Sequence, residues 1–133
     1  KDHSLLEKTE KKTEFSYPWI NLGQCAAEEN VMLLPGSLFR KIADEVYAKA
    51  EAEPNIVYQI SGTRTGLACV AYNHGVMITL DHMIFNNVFA EQILPLSIGE
   101  KPMYTDLDLV YMKDTVLTKE IETLKNIMTE AIQ

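Results

Sequence analysis

Two short polar turns carry the clearest chemical signal in the sequence. One turn follows the apolar run 31–34, and the other follows the apolar run 56–60. Each turn places hydroxyl groups and backbone N–H groups at the start of a predicted helix, where the helix dipole favours a carboxylate or another anion. In a mostly parallel sheet, ligand sites lie where strand ends meet helix starts. The two turns are therefore candidate halves of a binding edge, and they comprise Pro35, Gly36, Ser37, Ser61, Gly62 and Thr63.

The same turns permit a simpler interpretation, in which Ser37 and Thr63 only cap the helices that they begin. Arg64 follows the second turn directly. Its guanidinium could pair with an anionic effector or form an outward salt bridge. The residues of the turns leave both alternatives open.

Nucleophilic catalysis would need a Cys or Ser beside a His that a carboxylate orients. The residue types are present as Cys25, Cys69, His74, Asp81 and His82. Cys69 precedes His74 on a helix that is predicted to end between them, so no fixed contact is expected. The sequence also lacks a Gly-x-Ser-x-Gly elbow. We predict no catalytic residues and no enzymatic activity.

Metal and cofactor chemistry finds no support in the spacing of the residues. His74 and His82 lie at opposite ends of a predicted strand, and no close Cys or His pair has zinc-site spacing. Each polar turn contains a single Gly, so neither matches a phosphate-loop or dinucleotide motif. We predict no metal site and no cofactor.

Length, composition and charge restrict the class of protein. The 133 residues suffice for one domain with a core, and 47% hydrophobic with 23% charged residues is ordinary for a soluble protein. A net charge of −7 argues against direct binding of nucleic acid, which needs clustered Lys and Arg. No apolar run approaches the ~20 residues of a membrane span, so no membrane partner is expected. Two cysteines, with Cys69 predicted to be a buried free thiol, favour a reducing cytoplasm.

Repeated strand–turn–helix units predict an α/β fold with a mixed, mostly parallel sheet flanked by helices. The charged first residues, 1–14, predict a loop or a frayed leader. The predicted strands cover residues 31–34, 56–60, 76–80, 93–96 and 107–112. The predicted helices begin at Ser37, at the second turn, at Asp81, and at Thr115 or Thr118.

The helix after the second turn is predicted to end at Asn73-His74-Gly75, and the last helix is predicted to be amphipathic. Trp19 is predicted to be a packing anchor. The helix that follows Ser37 is predicted to carry an apolar stripe of Leu38, Ile42, Val46 and Ala50, widened by Phe39, Ala43 and Tyr47.

Several segments, in this order, resemble the effector-binding domain of LysR-type transcriptional regulators. Asp2 to Leu5 is similar to the family's "DHPL" segment, and Tyr17 to Leu22 is similar to its approach to the second lobe. The other three matches are Val31 to Arg40 with "fIll..gs.lR", Ala68 to Ile78 with "alVaaGlGi", and Leu109 to Asp114 with "lylv.rKd".

The resemblance implies a periplasmic-binding-protein-like lobe. Residues 1–16 would be a leader or inter-lobe segment, and residues 17–133 the second lobe with its closing strand and helix. It also implies a homo-oligomer whose effector cleft is lined by both polar turns, and DNA binding through a helix-turn-helix outside this sequence. Ser4, Asn73 and Leu80 depart from the family pattern, so the effector chemistry does not transfer. A lobe of a solute-binding or transport-associated protein shares this architecture and remains the alternative.

Overall fold

The computed structural model describes residues 3–85, 87–106, 108 and 110–132. The chain forms two units, Lys1–Met103 and Tyr104–Gln133. The elements of the first unit are a 3₁₀ helix at Ser4–Lys8, α1 at Leu22–Ala26, β1 at Glu29–Leu33, α2 at Leu38–Lys49, β2 at Asn55–Ile60, α3 at Thr63–Ala71 and α4 at His82–Phe85. The second unit contains α5 at Lys119–Ile132.

The sheet of the first unit is built on the parallel pair β1 and β2. The register pairs Glu29 with Asn55 at one end and Leu33 with Ile60 at the other, with one irregularity after Asn30. On its other side β1 forms a parallel bridge between Asn30 and Val76. The α/β class and the parallel pairing predicted from the sequence are therefore confirmed.

Helices cover β1 on both faces. Val31, Met32 and Leu33 are all buried, as a strand between two helical layers requires. Both α2 and α3 contact β1. The main hydrophobic cluster comprises Leu5, Ile20, Leu22, Cys25, Ala26, Met32, Ala43, Val46 and Tyr47.

The buried positions of α2 all belong to the predicted apolar stripe. The buried positions are Ala43, Val46 and Tyr47, at helical spacing. Leu38, predicted to belong to the stripe, is 63% exposed because it lies in the first turn, next to the polar turn that begins the helix. The predicted N-cap is confirmed, since Oγ of Ser37 accepts a hydrogen bond from the backbone N–H of Arg40 at 3.1 Å.

The end of α3 follows the sequence prediction closely. Asn73 has a φ of 62°, and the N–H groups of Asn73 and His74 bond to the carbonyls of Val70 and Cys69 at 3.0 and 2.8 Å. This is the Schellman arrangement that satisfies the last carbonyls of a helix. Gly75 follows with a φ of 121°, and a Cβ there would lie 2.3 Å from the carbonyl oxygen of Glu29. Only Gly permits the close approach that lets Val76 pair with β1.

The predicted sheet was too large. The predicted strand 76–80 is reduced to the bridge at Val76, and residues 77–80 form no ladder. The predicted strand 93–96 is irregular, because Pro95 offers no N–H to a ladder. Apart from Leu94, which is exposed, the residues of both segments are partly buried, so their apolar character reports burial and not strand pairing. Leu107 and Leu109 of the last predicted strand lie outside the described residues, and the described residues 108 and 110–112 form no strand.

The N-terminal segment is more ordered than its charge predicts. Leu5 is buried in the main cluster, where only 3% of its surface is exposed. Glu10 pairs with Trp19 through two backbone hydrogen bonds of 2.8 and 2.7 Å. Trp19 Nε1 donates to the carbonyl of Gly99 at 2.6 Å, which agrees with its predicted packing role.

The second unit contains one long helix. α5 begins directly after Thr118, whose hydroxyl accepts from the N–H of Ile121 at 3.5 Å, so the predicted start at Thr118 is confirmed. Ile121, Leu124, Ile127 and Met128 recur on one face and are all exposed. This face is the amphipathic stripe that the sequence predicts.

Candidate functional site

The two polar turns leave the sheet from adjacent strand ends. Leu33 and Ile60 are partners in the parallel register. One residue further, the N–H of Leu34 donates to the carbonyl of Ile60 at 2.8 Å. Because the carboxyl ends of parallel strands meet at one edge, Pro35-Gly36-Ser37 and Ser61-Gly62-Thr63 begin at the same edge of the sheet. We call this the β1–β2 edge.

The first turn is exposed and closed by its own helix cap. Gly36 has a φ of 94°, in the region that favours Gly, and Pro35 and Gly36 are both exposed. Ser37 is half-buried, and its hydroxyl oxygen is occupied by the N–H of Arg40. The capping interpretation therefore holds for Ser37. The hydrogen of its hydroxyl group can still be donated to a ligand.

The second turn differs in how its helix begins. Gly62 is the N-cap residue of α3, and no side chain of the described residues caps that helix. The capping interpretation is wrong for Thr63, which is the first helical residue. Ser61 is exposed, and Gly62 and Thr63 are half-buried. The first N–H groups of α3 thus have no side-chain acceptor and favour a negative group.

Arg40 is the residue of this region that sequence reasoning missed. Its Nη1 donates to the carbonyl of Leu33 at 3.0 Å and approaches Oε1 of Gln59 at 3.4 Å. Its Nε donates to Oδ1 of Asp44 at 2.8 Å. The guanidinium therefore joins α2 to the ends of both strands directly beneath the turns. A cation in the first turn of a helix is unfavourable next to the positive end of the helix dipole. The position of Arg40 in the sequence could therefore have indicated that its side chain has a specific partner.

Arg64 is exposed at the start of α3. The two ion pairs found in the described part of the chain join His3 to Glu28 and Arg40 to Asp44. Arg64 takes part in neither, so the outward salt bridge considered from the sequence is not formed with a described residue.

A buried polar network holds the beginning of β1. Asn30 is 1% exposed, and its Nδ2 donates to the carbonyls of Cys25 and Glu28 at 3.1 and 2.8 Å. Its Oδ1 accepts a hydrogen bond from the hydroxyl of Tyr47. Burial raises the pKa of Tyr47 and keeps its hydroxyl protonated as a donor. α1, β1 and α2 are thereby fixed relative to one another.

The residue types considered for catalysis do not form a nucleophilic arrangement. Burial and the nearby Glu28 carboxylate raise the pKa of Cys25 to about 11, so its thiol stays protonated and unreactive at neutral pH. Cys69 is half-buried and not fully buried as predicted, and His74 is exposed beyond the end of α3. The ring of His74 packs edge-on against Tyr58, with centroids 6.3 Å apart.

The described residues contain neither a metal-binding cluster nor a membrane-spanning helix. No three His, Cys, Asp or Glu side chains lie close enough together there to hold a metal ion. Over the same ranges, no helix has the length and apolar character needed to cross a bilayer.

The family comparison distinguishes between the protein classes that share this architecture. The model of the LysR substrate binding domain family matches residues 16–133, which is most of the chain. The chain belongs to the LysR substrate-binding domain family. No curated protein and no solved structure matched the sequence.

Membership explains the architecture of this LysR substrate-binding domain. The family has the periplasmic-binding-protein-like α/β fold, with a parallel sheet flanked by helices, as β1, β2, α2 and α3 form here. The domain is part of regulators of transcription, generally without enzymatic activity, in which it binds small effectors. The family predicted from the sequence resemblance is therefore confirmed; four of the five segments lie within the matched residues, and Asp2 to Leu5 lies outside them.

Proposed function

We propose that this LysR substrate-binding domain senses a small-molecule effector at the β1–β2 edge. The effector would contact the turns formed by Pro35, Gly36, Ser37, Ser61, Gly62 and Thr63. The observation that carries this proposal is the hydrogen bond from Leu34 to Ile60, which joins the two strand ends from which both turns leave. The exposure of Pro35, Gly36 and Ser61 leaves this edge open to a ligand.

The chemistry of the edge favours an anionic effector. α3 begins without a side-chain cap, so its first N–H groups and its dipole attract negative charge. Arg64 adds an exposed cation in the first turn of the same helix. A carboxylate bound between the turns would accept hydrogen bonds from α3 N–H groups and from the Ser37 and Ser61 hydroxyls. Arg40 would support such a ligand indirectly, by fixing the strand ends.

Sensing requires that the effector bind one conformation better than another, because equal affinity for both would shift nothing. We propose that a second lobe closes over the β1–β2 edge when the effector binds. In the whole regulator, DNA would be bound by a helix-turn-helix outside this sequence. The domain itself would have no catalytic role.

The proposal includes a cytoplasmic homo-oligomer. β2 pairs only with β1 among the described residues and presents exposed Val57 and Tyr58. An unpaired strand edge with apolar side chains favours association with another chain. Two free cysteines agree with a reducing compartment. Light scattering tests the association, and a monomer at all concentrations would contradict it.

The effector site is tested by Ser37→Ala and Thr63→Ala in the full-length regulator. A reporter gene under its control is measured while cells receive a panel of carboxylic acids. Both substitutions should reduce the response to the inducing acid while DNA binding is retained. Thr65→Ala is the matched control, since Thr65 is exposed two residues further along α3. Unchanged induction in both variants would remove these turns from the site.

A further inference from the structure

Two exposed leucines flank the first polar turn of the β1–β2 edge. Leu34 directly precedes Pro35, and 47% of its surface is exposed. Leu38 directly follows Ser37 in the first turn of α2 and is 63% exposed. The β1–β2 edge therefore presents apolar surface as well as hydroxyl and N–H groups.

Leu34 also lies beside the start of the second turn. Its N–H donates to the carbonyl of Ile60 at 2.8 Å, and Ile60 directly precedes Ser61. The carbonyl of Leu34 accepts a hydrogen bond from the N–H of Ser37 at 3.4 Å, which closes the first turn. A ligand held at the second turn would therefore have the apolar surface of the first turn next to it.

The two helix starts at this edge differ in their capacity for a negative group. At α2 the hydroxyl oxygen of Ser37 already accepts from the N–H of Arg40, and the Arg40 guanidinium is paired with the Asp44 carboxylate at 2.8 Å. At α3 no side chain of the described residues caps the first N–H groups, and Arg64 is exposed there. An uncapped helix start favours a negative group. Of these two helix starts, α3 is therefore the one open to a carboxylate.

We propose that the effector is a monocarboxylate with an apolar body. This inference rests on the proposed effector site at the β1–β2 edge and names the ligand class of that site. The carboxylate lies at the start of α3, and the apolar body lies against Leu34 and Leu38. A dicarboxylate of the same length would place its second charge on this apolar surface. That charge would lose hydration without gaining a partner, which is unfavourable.

NMR titration of the 133-residue chain tests this ligand class with acetate, butanoate, hexanoate and adipate. Adipate has the length of hexanoate, with a second carboxylate in place of the terminal methyl group. The amide signals of Gly62 and Thr63 report the carboxylate, and the methyl signals of Leu34 and Leu38 report the apolar body. Each added methylene should tighten binding about twofold, because the open edge buries it only in part and complete burial gives about fourfold. Adipate should bind at least about fivefold more weakly than hexanoate.

Leu38→Gln replaces the apolar side chain by a polar one of similar size at an exposed helical position, so the fold is retained. It should weaken hexanoate about threefold to tenfold, because apolar contact is lost, and leave acetate unchanged. Leu94→Gln is the matched control, since Leu94 is exposed but lies outside both turns, and it should change neither affinity. Equal affinity of wild type and Leu38→Gln for hexanoate would overturn the proposal.

The same titration distinguishes a wrong ligand class from a wrong site. If no acid shifts the amides of Gly62 and Thr63, the effector site and its ligand class fail together. If the acids shift these amides but adipate binds as tightly as hexanoate, or chain length has no effect, the site stands and the ligand class is overturned. Leu34 and Leu38 would then serve to contact another part of the regulator. Shifts of the leucine methyl groups alone would also overturn the proposal, because the acid would not reach the start of α3.

Discussion

The hydroxyl of Tyr47 donates a hydrogen bond to Oδ1 of Asn30, and this bond joins the last turn of α2 to the beginning of β1. Both side chains are buried. The amide of Asn30 also satisfies carbonyls at the end of α1, so one side chain connects three elements. The position of β1, and with it the β1–β2 edge, depends on this network.

Tyr47→Phe should destabilise the domain by about 1–3 kcal/mol, because it leaves Oδ1 of Asn30 buried without a donor. Urea unfolding followed by circular dichroism measures the loss. Tyr72→Phe removes the same hydroxyl from a residue that is 66% exposed, and it should have little effect. Equal stability of the two variants would contradict the role assigned to the Tyr47–Asn30 bond.

Gly75→Ala should destabilise the domain by about 3 kcal/mol or more. A Cβ at this position would lie 2.3 Å from a backbone oxygen of β1, and the φ of 121° is itself unfavourable for Ala. The comparison is Gly62→Ala, where a Cβ would find nothing within 4 Å and only the N-cap preference changes. That variant should lose less than about 1 kcal/mol in the same urea titration. Similar losses in both would show that Gly75 is not constrained by β1.

Arg40→Met should destabilise the domain by about 1–3 kcal/mol, because the carbonyl of Leu33 loses a charged donor. Asp44→Asn disturbs only the outer ion pair, whose carboxylate side chain is 53% exposed, and should cost less than about 1 kcal/mol. Hydrogen exchange of the Leu34 amide provides a local measurement. Faster exchange is expected in Arg40→Met, and an unchanged rate would mean that Arg40 does not hold the strand ends.

The two cysteines should differ in reactivity toward a disulfide reagent at pH 8. Cys25 is buried with its pKa raised to about 11, whereas Cys69 is half-buried. One thiol should react in the native chain, and the second only after unfolding. Cys69→Ser should remove the native reaction, and a fast native reaction in that variant would contradict the burial of Cys25.

The same thiol gives a pH dependence with a defined sign. The folded state binds the Cys25 proton more tightly than the unfolded state, since burial raises its pKa above the ordinary 9.0. Its contribution to stability is therefore complete below about pH 9 and is lost as the pH rises toward 11. Between pH 9 and 11 the urea midpoint should fall less for Cys25→Ser than for wild type. Identical slopes would contradict the raised pKa.

Local signals in the sequence predicted the helix ends well. Ser37 and Thr118 begin helices, and Asn73 ends one, because caps depend on neighbouring residues alone. The two parallel strands were predicted for the same reason, from short apolar runs bounded by turns. Their adjacency at the β1–β2 edge followed from the rule for parallel sheets.

Long-range features could not be predicted in the same way. An apolar run reports burial without naming a hydrogen-bond partner, so residues 76–80 and 93–96 were assigned to strands that do not form. Arg40 was missed for two reasons. Its partner on β1 is a backbone carbonyl, which the sequence pattern does not mark, and its partner on β2, Gln59, is distant in sequence. The burial of Asn30 was not predicted, because its partners depend on how α1 and α2 pack together.

Backbone NMR tests the central claim most directly. The amide signals of Gly36, Ser37, Gly62 and Thr63 are followed while the chain is titrated with acetate, succinate, benzoate and other small carboxylates, with the matching neutral amides as controls. We predict that at least one acid shifts the amides of both turns with a single dissociation constant, while its neutral amide does not. Shifts in one turn only, or none with any acid, would contradict an effector site at the β1–β2 edge.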